Sequence, residues 1–251
     1  MANWRDSGFG RIVMTAWVAV SVPFTVAGIF LALPFLGPRR AFFAIGPLFT
    51  RGLGWFCDTP AALHGWEALP AAIREGRQPV IFMSNHASQL DPPILIGVLP
   101  VPAVYIAKKE VKYIPFVGWA AMLAGVIFID RGEREKAIRS IHEAALKIRG
   151  GRSVVIFPEG TRSRTGELLP FKKGGFALAL DAGVPIVPLA TLGGFQVLPP
   201  GSRLLRRGRY DIRVGMPVDP TAFQEREALA AEVRRRIEVL VAGPGAEAGR
   251  A

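Results

Sequence analysis

Two short polar stretches, each following an apolar run, hold the residue types that can do chemistry. The first is Ser84-Asn85-His86-Ala87-Ser88-Gln89-Leu90-Asp91-Pro92-Pro93. An imidazole and a carboxylate stand five residues apart, the wrong interval for one face of a straight helix, where neighbours are three or four apart. Across a turn, the carboxylate can reach the ring. Such a pair fixes the tautomer and stabilises the imidazolium formed when the ring takes a proton. The competing reading is that Asp91 only caps a helix opened by the two prolines, and that His86 only packs. Ser88 is an alternative nucleophile, but no Gly-x-Ser-x-Gly elbow surrounds it.

The second stretch is Phe157-Pro158-Glu159-Gly160-Thr161-Arg162-Ser163-Arg164. The glycine permits close backbone approach, the hydroxyls can donate, and the guanidinium forks match phosphate oxygens. A solvated polar turn is the alternative. Phe171-Lys172-Lys173-Gly174-Gly175 follows, adding cations at a helix start. Two further blocks are chemically weaker alone. Ile127-Phe128-Ile129-Asp130-Arg131 delivers an acid–base pair that also reads as a surface ion pair. Val184-Pro185-Ile186-Val187-Pro188-Leu189 is a short strand with edge-like prolines.

Taken in order and separation, N-H-x-S-x-x-D-P, F-I-D-R, F-P-E-G-T-R-S and V-P-I-V-P-L resemble the glycerolipid acyltransferase family, in particular its bacterial members that acylate 1-acylglycerol 3-phosphate. The resemblance covers roughly residues 63 to 220. It implies an α/β sandwich around a mixed sheet, with no metal or organic cofactor. It implies transfer of an acyl group from coenzyme A or acyl carrier protein to the sn-2 hydroxyl of lysophosphatidic acid. His86 is implied as general base and Asp91 as the residue that orients it. Arg131 is implied to hold the glycerol phosphate. Glu159, Gly160, Thr161 and Arg162 are implied to shape the site and bind phosphate, and residues 184–189 are associated with the acyl donor. Other lysolipid acceptors, a membrane lipid hydrolase and a non-enzymatic binder of anionic lipid are the competing functions.

The elements that must position these residues read as an α/β domain with a mixed, mostly parallel sheet flanked by helices. Apolar β-rich runs at Pro79–Met83, Ala103–Ala107, Val126–Ile129, Val154–Phe157 and Ile186–Leu189 predict strands. Helices are predicted over Glu133–Arg149, with Ile138, Ile141, Ala145 and Ile148 on one face, and over Phe171–Ala182. Asp219-Pro220 predicts the N-cap and first residue of a last helix. The predicted division is residues 1–60 as membrane-anchoring helices, 61–242 as the α/β domain and 243–251 as a disordered tail.

The N-terminus is apolar. Ile12 to Leu36 carries no charge, and at about 1.5 Å per residue it can cross a hydrocarbon core of about 30 Å. Pro23 predicts a kink, and Pro34 with Gly37-Pro38 a stop. Ala41–Phe56, aromatic and broken by Arg51, reads as interfacial rather than spanning. Both a full span and a half-inserted hairpin fit, as does a buried core helix. Arg39, Arg40 and Arg51 against Arg5 and Arg11 favour the following domain on the cytoplasmic face of the inner membrane.

Composition agrees. The 251 residues carry a net charge of +11 and are 50% hydrophobic, with a mean hydropathy of +0.30. Basicity favours an anionic partner. Combined with this hydrophobicity, and without zinc-finger spacing or a single-strand-binding pattern, it points to a membrane and not to nucleic acid. The single Cys57 excludes an intramolecular disulfide and reads as a packing residue. His64 and His142 read as structural or surface residues. The basic stretch Arg203, Arg206, Arg207, Arg209 and Arg213 suits a membrane surface or an acidic carrier protein, or is an ordinary solvated loop.

Overall fold

The computed structural model describes residues 3–130 and 134–243. The chain opens with a short 3₁₀ turn, then two long helices, α1 (Gly8–Leu36) and α2 (Pro38–Phe56). Ser7 caps α1 through its hydroxyl, and Gly37, at φ 71°, lets the chain reverse. The helix is continuous through Pro23 and Pro34. Trp17 of α1 stacks on Phe49 and Phe56 of α2. Gly52 leaves the room the indole fills, since a Cβ there would meet its ring at 2.5 Å. Only 11% of the most apolar window of α1 is buried. That excludes a buried core helix, and the helix is long and apolar enough to cross a membrane.

The α/β domain follows as β1 (Ala61–His64), a short turn α3 (Ala71–Arg74), β2 (Ile81–Ser84), α4 (Asp91–Val98), β3 (Ala103–Lys108), α5 (Val117–Ala124), β4 (Ile127–Ile129), α6 (Arg134–Arg149), β5 (Ser153–Ile156), α7 (Lys173–Ala182), β6 (Ile186–Leu192), a short turn α8 (Gly194–Val197), β7 (Tyr210–Val214) and α9 (Arg226–Ala242). The described strands form one sheet in the order β1-β7-β6-β2-β5-β3-β4. All neighbours are parallel except β6 and β7. The mixed, mostly parallel sheet expected from the sequence is therefore present.

Strand periodicity divides the core. Phe82, Tyr105, Val155, Val187 and Tyr210 face α2 and α4. Ile81, Met83, Val104, Val154 and Ile186 face α6, α7 and α9. The central strands β2 and β5 are buried on both faces, which is why they read as unbroken apolar runs.

Several local expectations are corrected. β1 and β7 were not predicted, although Tyr210–Val214 alternates buried and half-buried residues in the period of a half-exposed strand. β6 is internal, not an edge. Its Pro188 lies level with Gly215, just past the end of β7, and joins that pair through its carbonyl alone, accepting from Gly215 N at 2.9 Å. Asp219 caps only a 3₁₀ turn, Pro220–Ala222, its carboxylate accepting from both the N–H and the hydroxyl of Thr221. The helix itself begins at Arg226 and buries Leu229, Val233 and Ile237. On α6, Ile138 is exposed and the buried face is Ala144, Ala145 and Ile148. Of the predicted tail, residues 244–251 lie outside the described residues.

Candidate active site

The C-terminal ends of β2 and β5 are adjacent, because Met83 pairs with Ile156. The two motif loops therefore leave the sheet side by side, where open α/β sheets place ligands. Asn85 extends the pairing of β2 with β6: its side-chain oxygen accepts from Thr191 N at 2.7 Å, and its amide donates to Thr191 O at 3.0 Å. The chain then turns, and α4 starts at Asp91, with Pro92 and Pro93 in a first turn that needs no N–H.

The Asp91 carboxylate does not cap α4. It points back, and its Oδ2 accepts three bonds, each of 2.8 Å, from His86 Nδ1, Ala87 N and Ser88 N. Asp91 is buried, at 1% exposure, and the His86 side chain is 15% exposed. A carboxylate only accepts, so Nδ1 carries the hydrogen and Nε2 is left with its lone pair. The ring stacks on Phe157, with centroids 4.0 Å apart and planes at 16°, and Phe157 stacks in turn on Tyr105. Phe157 fixes the orientation of the imidazole. It opens the second motif, but its stacking role carried no signal in the sequence. Tyr105 is held neutral by burial and by the nearby Asp91 charge, which push its pKa well up.

Glu159 is buried, at 1% exposure, and faces the backbone rather than open space. Its Oε1 accepts from His86 N at 2.7 Å and its Oε2 from Leu169 N at 2.9 Å. Burial raises its pKa, and the two backbone donors oppose that rise. Ser163 N donates to His86 O at 2.8 Å. The second loop thus grips both backbone groups of the histidine. Gly160, at φ 67°, makes the turn, and the stem of Lys172 crosses where a Cβ would sit. Thr161 is exposed. Arg162 is half-buried beside Ser163, and its side chain has no partner among the described residues. Arg131 lies outside the described residues; the Asp130 that precedes it binds Lys109 at 2.7 Å.

Ser88 is buried and committed elsewhere: its hydroxyl donates to Leu198 O and accepts from Leu90 N. Two buried polar side-chain atoms, Asp91 Oδ1 and Tyr210 Oη, make no hydrogen bond of full geometry among the described residues, although Ser88 and Asp91 interact with the Tyr210 hydroxyl. A Cβ on Gly194 would lie 2.5 Å from the first and 2.9 Å from the second, so both crowd the same glycine. Burial, followed by the Asp91 charge, raises the Tyr210 pKa. Neither Tyr210 nor Gly194 was foreseen, since both lie in stretches without motif character.

The sequence pattern of the Acyltransferase family matches residues 61–192, more than half of the chain, including both motif loops. The chain belongs to the Acyltransferase family. Among curated relatives in this family, it is 38% identical over 145 residues to a 1-acyl-sn-glycerol-3-phosphate acyltransferase of Saccharomyces cerevisiae, covering 57% of this chain and 48% of that one. It is 42% identical over 142 residues to the human alpha enzyme of that name, covering 56% and 50%. The chain thus spans about half the length of these relatives. The crystal structure of the 1-acyl-sn-glycerophosphate acyltransferase PlsC from Thermotoga maritima superposes with a TM-score of 0.79 at 25% identity, covering 94% of this chain and 98% of that one.

The remaining residues singled out in the sequence lie apart from this candidate site. His64 pairs with Asp211 and His142 with Asp181, both exposed. Cys57 is fully buried against Met14, and burial pushes its thiol up to about 12. Within the basic stretch, Arg207 is tied to Asp6 and Asp58, Arg209 to Asp211, and Arg213 to the carbonyl of Leu240. Arg203 and Arg206 are exposed, with no side-chain partner among the described residues.

Proposed function

We propose that this chain transfers a fatty acyl group from an acyl thioester to the sn-2 hydroxyl of lysophosphatidic acid, giving phosphatidic acid, with His86 as general base. The observation that carries this reading is the 2.8 Å bond from His86 Nδ1 to the buried Asp91 carboxylate, which leaves Nε2 as the basic nitrogen. His86 Nε2 removes the hydroxyl proton as the lipid oxygen attacks the thioester carbonyl. Asp91 stabilises the imidazolium that forms. The carbon–sulfur bond then breaks, and the imidazolium returns the proton to the leaving thiolate. No acyl-enzyme is needed, consistent with the buried, hydrogen-bonded Ser88.

Arg162, a half-buried cation, binds the lysolipid phosphate together with Arg131 and so orients the reacting hydroxyl. Glu159 and Gly160 set the shape of the loop rather than touching phosphate, and Thr161 stands at its exposed rim. Coenzyme A and acyl carrier protein thioesters both supply the required leaving group. Residues 1–60 act as the anchor, which brings the site to membrane-dissolved substrate, with the α/β domain on the cytoplasmic face of the inner membrane. Residues 61–242 form the catalytic domain.

The test is purified enzyme with lysophosphatidic acid and each thioester donor, with lipid products resolved by mass spectrometry, alongside His86→Ala. Diacylated product from wild type and none from a folded His86→Ala protein is the expected result. Free fatty acid in place of diacylated lipid makes the protein a hydrolase. Wild-type turnover by folded His86→Ala removes the base assignment.

A further inference from the structure

The segment between β3 and β4 is built unlike the rest of the domain surface. It starts four residues after Tyr105, whose ring leads through Phe157 to His86, so it stands at the rim of the same sheet end. It contains Tyr113, Ile114, Phe116, Val117, Trp119 and Met122, all exposed, from 40% at Phe116 to 72% at Tyr113. Trp119 and Met122 stand three apart and so share one side of α5, and Phe116, just before its first turn, meets Trp119 edge-on. The opposite side of α5, through Ala120, Leu123 and Ala124, packs with Ile29, Ala41 and Phe42 of the α1–α2 hairpin. The exposed stripe thus belongs to the same helical layer as the bare apolar residues of α1, among them Phe24, Leu31 and Phe35.

Two details show that the outward display is built in. Phe116 has φ 61° and ψ −51°, a conformation that costs a non-glycine residue of order 1–3 kcal/mol. Its ring meets Trp119 edge-on, with centroids 5.3 Å apart. Lys108, Lys109 and Lys112 border the patch, with Glu110 as the acid among them and Lys109 paired to Asp130. The Lys112 ammonium lies 4.9 Å over the Tyr113 ring. Tyr and Trp beside Lys, on an apolar face, is the chemistry of a bilayer's headgroup–acyl boundary.

We propose that the 109–122 segment is a second membrane contact, inserted into the bilayer interface at the rim of the active site. This rests on the reading of residues 1–60 as an anchor. The anchor fixes the protein to the membrane, and this segment sets the tilt that puts the His86 end of the sheet at headgroup depth. A lysolipid then reaches the imidazole without leaving the bilayer.

The experiment uses the full chain in a Cys57→Ala background, with an environment-sensitive fluorophore on Met122→Cys or, separately, on Phe24→Cys of α1. Vesicles of phosphatidylethanolamine and phosphatidylglycerol carry a shallow spin-label quencher. The proposal expects both probes to shift to shorter wavelength and to lose emission to the quencher. It also expects Trp119→Glu to abolish the loss at position 122 while leaving it at position 24. Quenching at 24 with an unquenched, unshifted probe at 122 overturns the proposal and leaves the anchor standing. No quenching at either position overturns both. A blue shift at 122 that grows with protein concentration without vesicles means that a second copy covers the face, and also overturns the proposal.

Discussion

Replacing Asp91 by Asn separates the charge of the carboxylate from its shape. The amide oxygen can keep the position of Oδ2, and with it the N–H groups of Ala87 and Ser88 and the Nδ1–H of His86, all now at 2.8 Å. The amide nitrogen then takes the place of Oδ1, on the side of Gly194 and the Tyr210 hydroxyl, which can accept from it. The fold is therefore expected to survive with a stability change within about 1 kcal/mol. What disappears is the negative charge facing the imidazolium. For unit charges about 4 Å apart at an effective dielectric near 20, that interaction is about 4 kcal/mol, or roughly a thousandfold in rate. Steady-state thiol release should show kcat down by about that factor, with the lysolipid KM and the melting temperature nearly unchanged. A folded Asp91→Asn enzyme with kcat within about tenfold of wild type would refute the electrostatic role. Unfolding would show instead that the carboxylate serves mainly to hold the loop.

Three further outcomes are expected. Arg162→Ala should raise the lysolipid KM by tenfold or more, from the loss of about 1.5–3 kcal/mol of charged hydrogen bonding, with little change in the donor KM; an unchanged lysolipid KM removes Arg162 from the phosphate site. Glu159→Ala strands the N–H groups of His86 and Leu169, and should cost about 2–6 kcal/mol at roughly 1–3 per stranded group, read by denaturant unfolding; a loss under about 1 kcal/mol contradicts the clip. Acid should loosen α9. The Glu227 carboxyl is lowered to about 2 by Lys173, and that of Glu232 to about 2 by Arg235 and then Arg236, from an ordinary value of 4.5. Depressed carboxyls stabilise above their unfolded value, so this contribution should fade as pH drops from about 4.5 towards 2. Titration with a Glu227→Gln, Glu232→Gln double variant should show a flatter decline over that window.

The central strands were legible because residues such as Phe82 and Val155 are buried on both faces of a parallel sheet, and burial writes an apolar run. β1 was not, because its residues are only partly covered. The His86–Asp91 pairing was legible as spacing and chemistry. Its wiring was not, because hydrogen bonds to backbone leave no mark on side-chain type. Glu159 reads as a polar loop residue in the sequence, yet it serves the main chain of His86. Tyr210 reads as one aromatic before a charged pair. It joins the site only because β7 pairs with β6 in reverse and Gly194 has no side chain.

The grip on His86 also bears on how the protein becomes active. The residues that hold its N–H and its carbonyl come from a loop over seventy positions later in the chain, and contacts of such long range form late, after the entropy of closing the intervening segment has been overcome. A chain that has assembled β2 and α4 but not yet docked β5 has every atom of the imidazole–carboxylate pair and nothing to splint it. Activity recovered during refolding should therefore lag behind the return of helical signal and coincide with docking of β5.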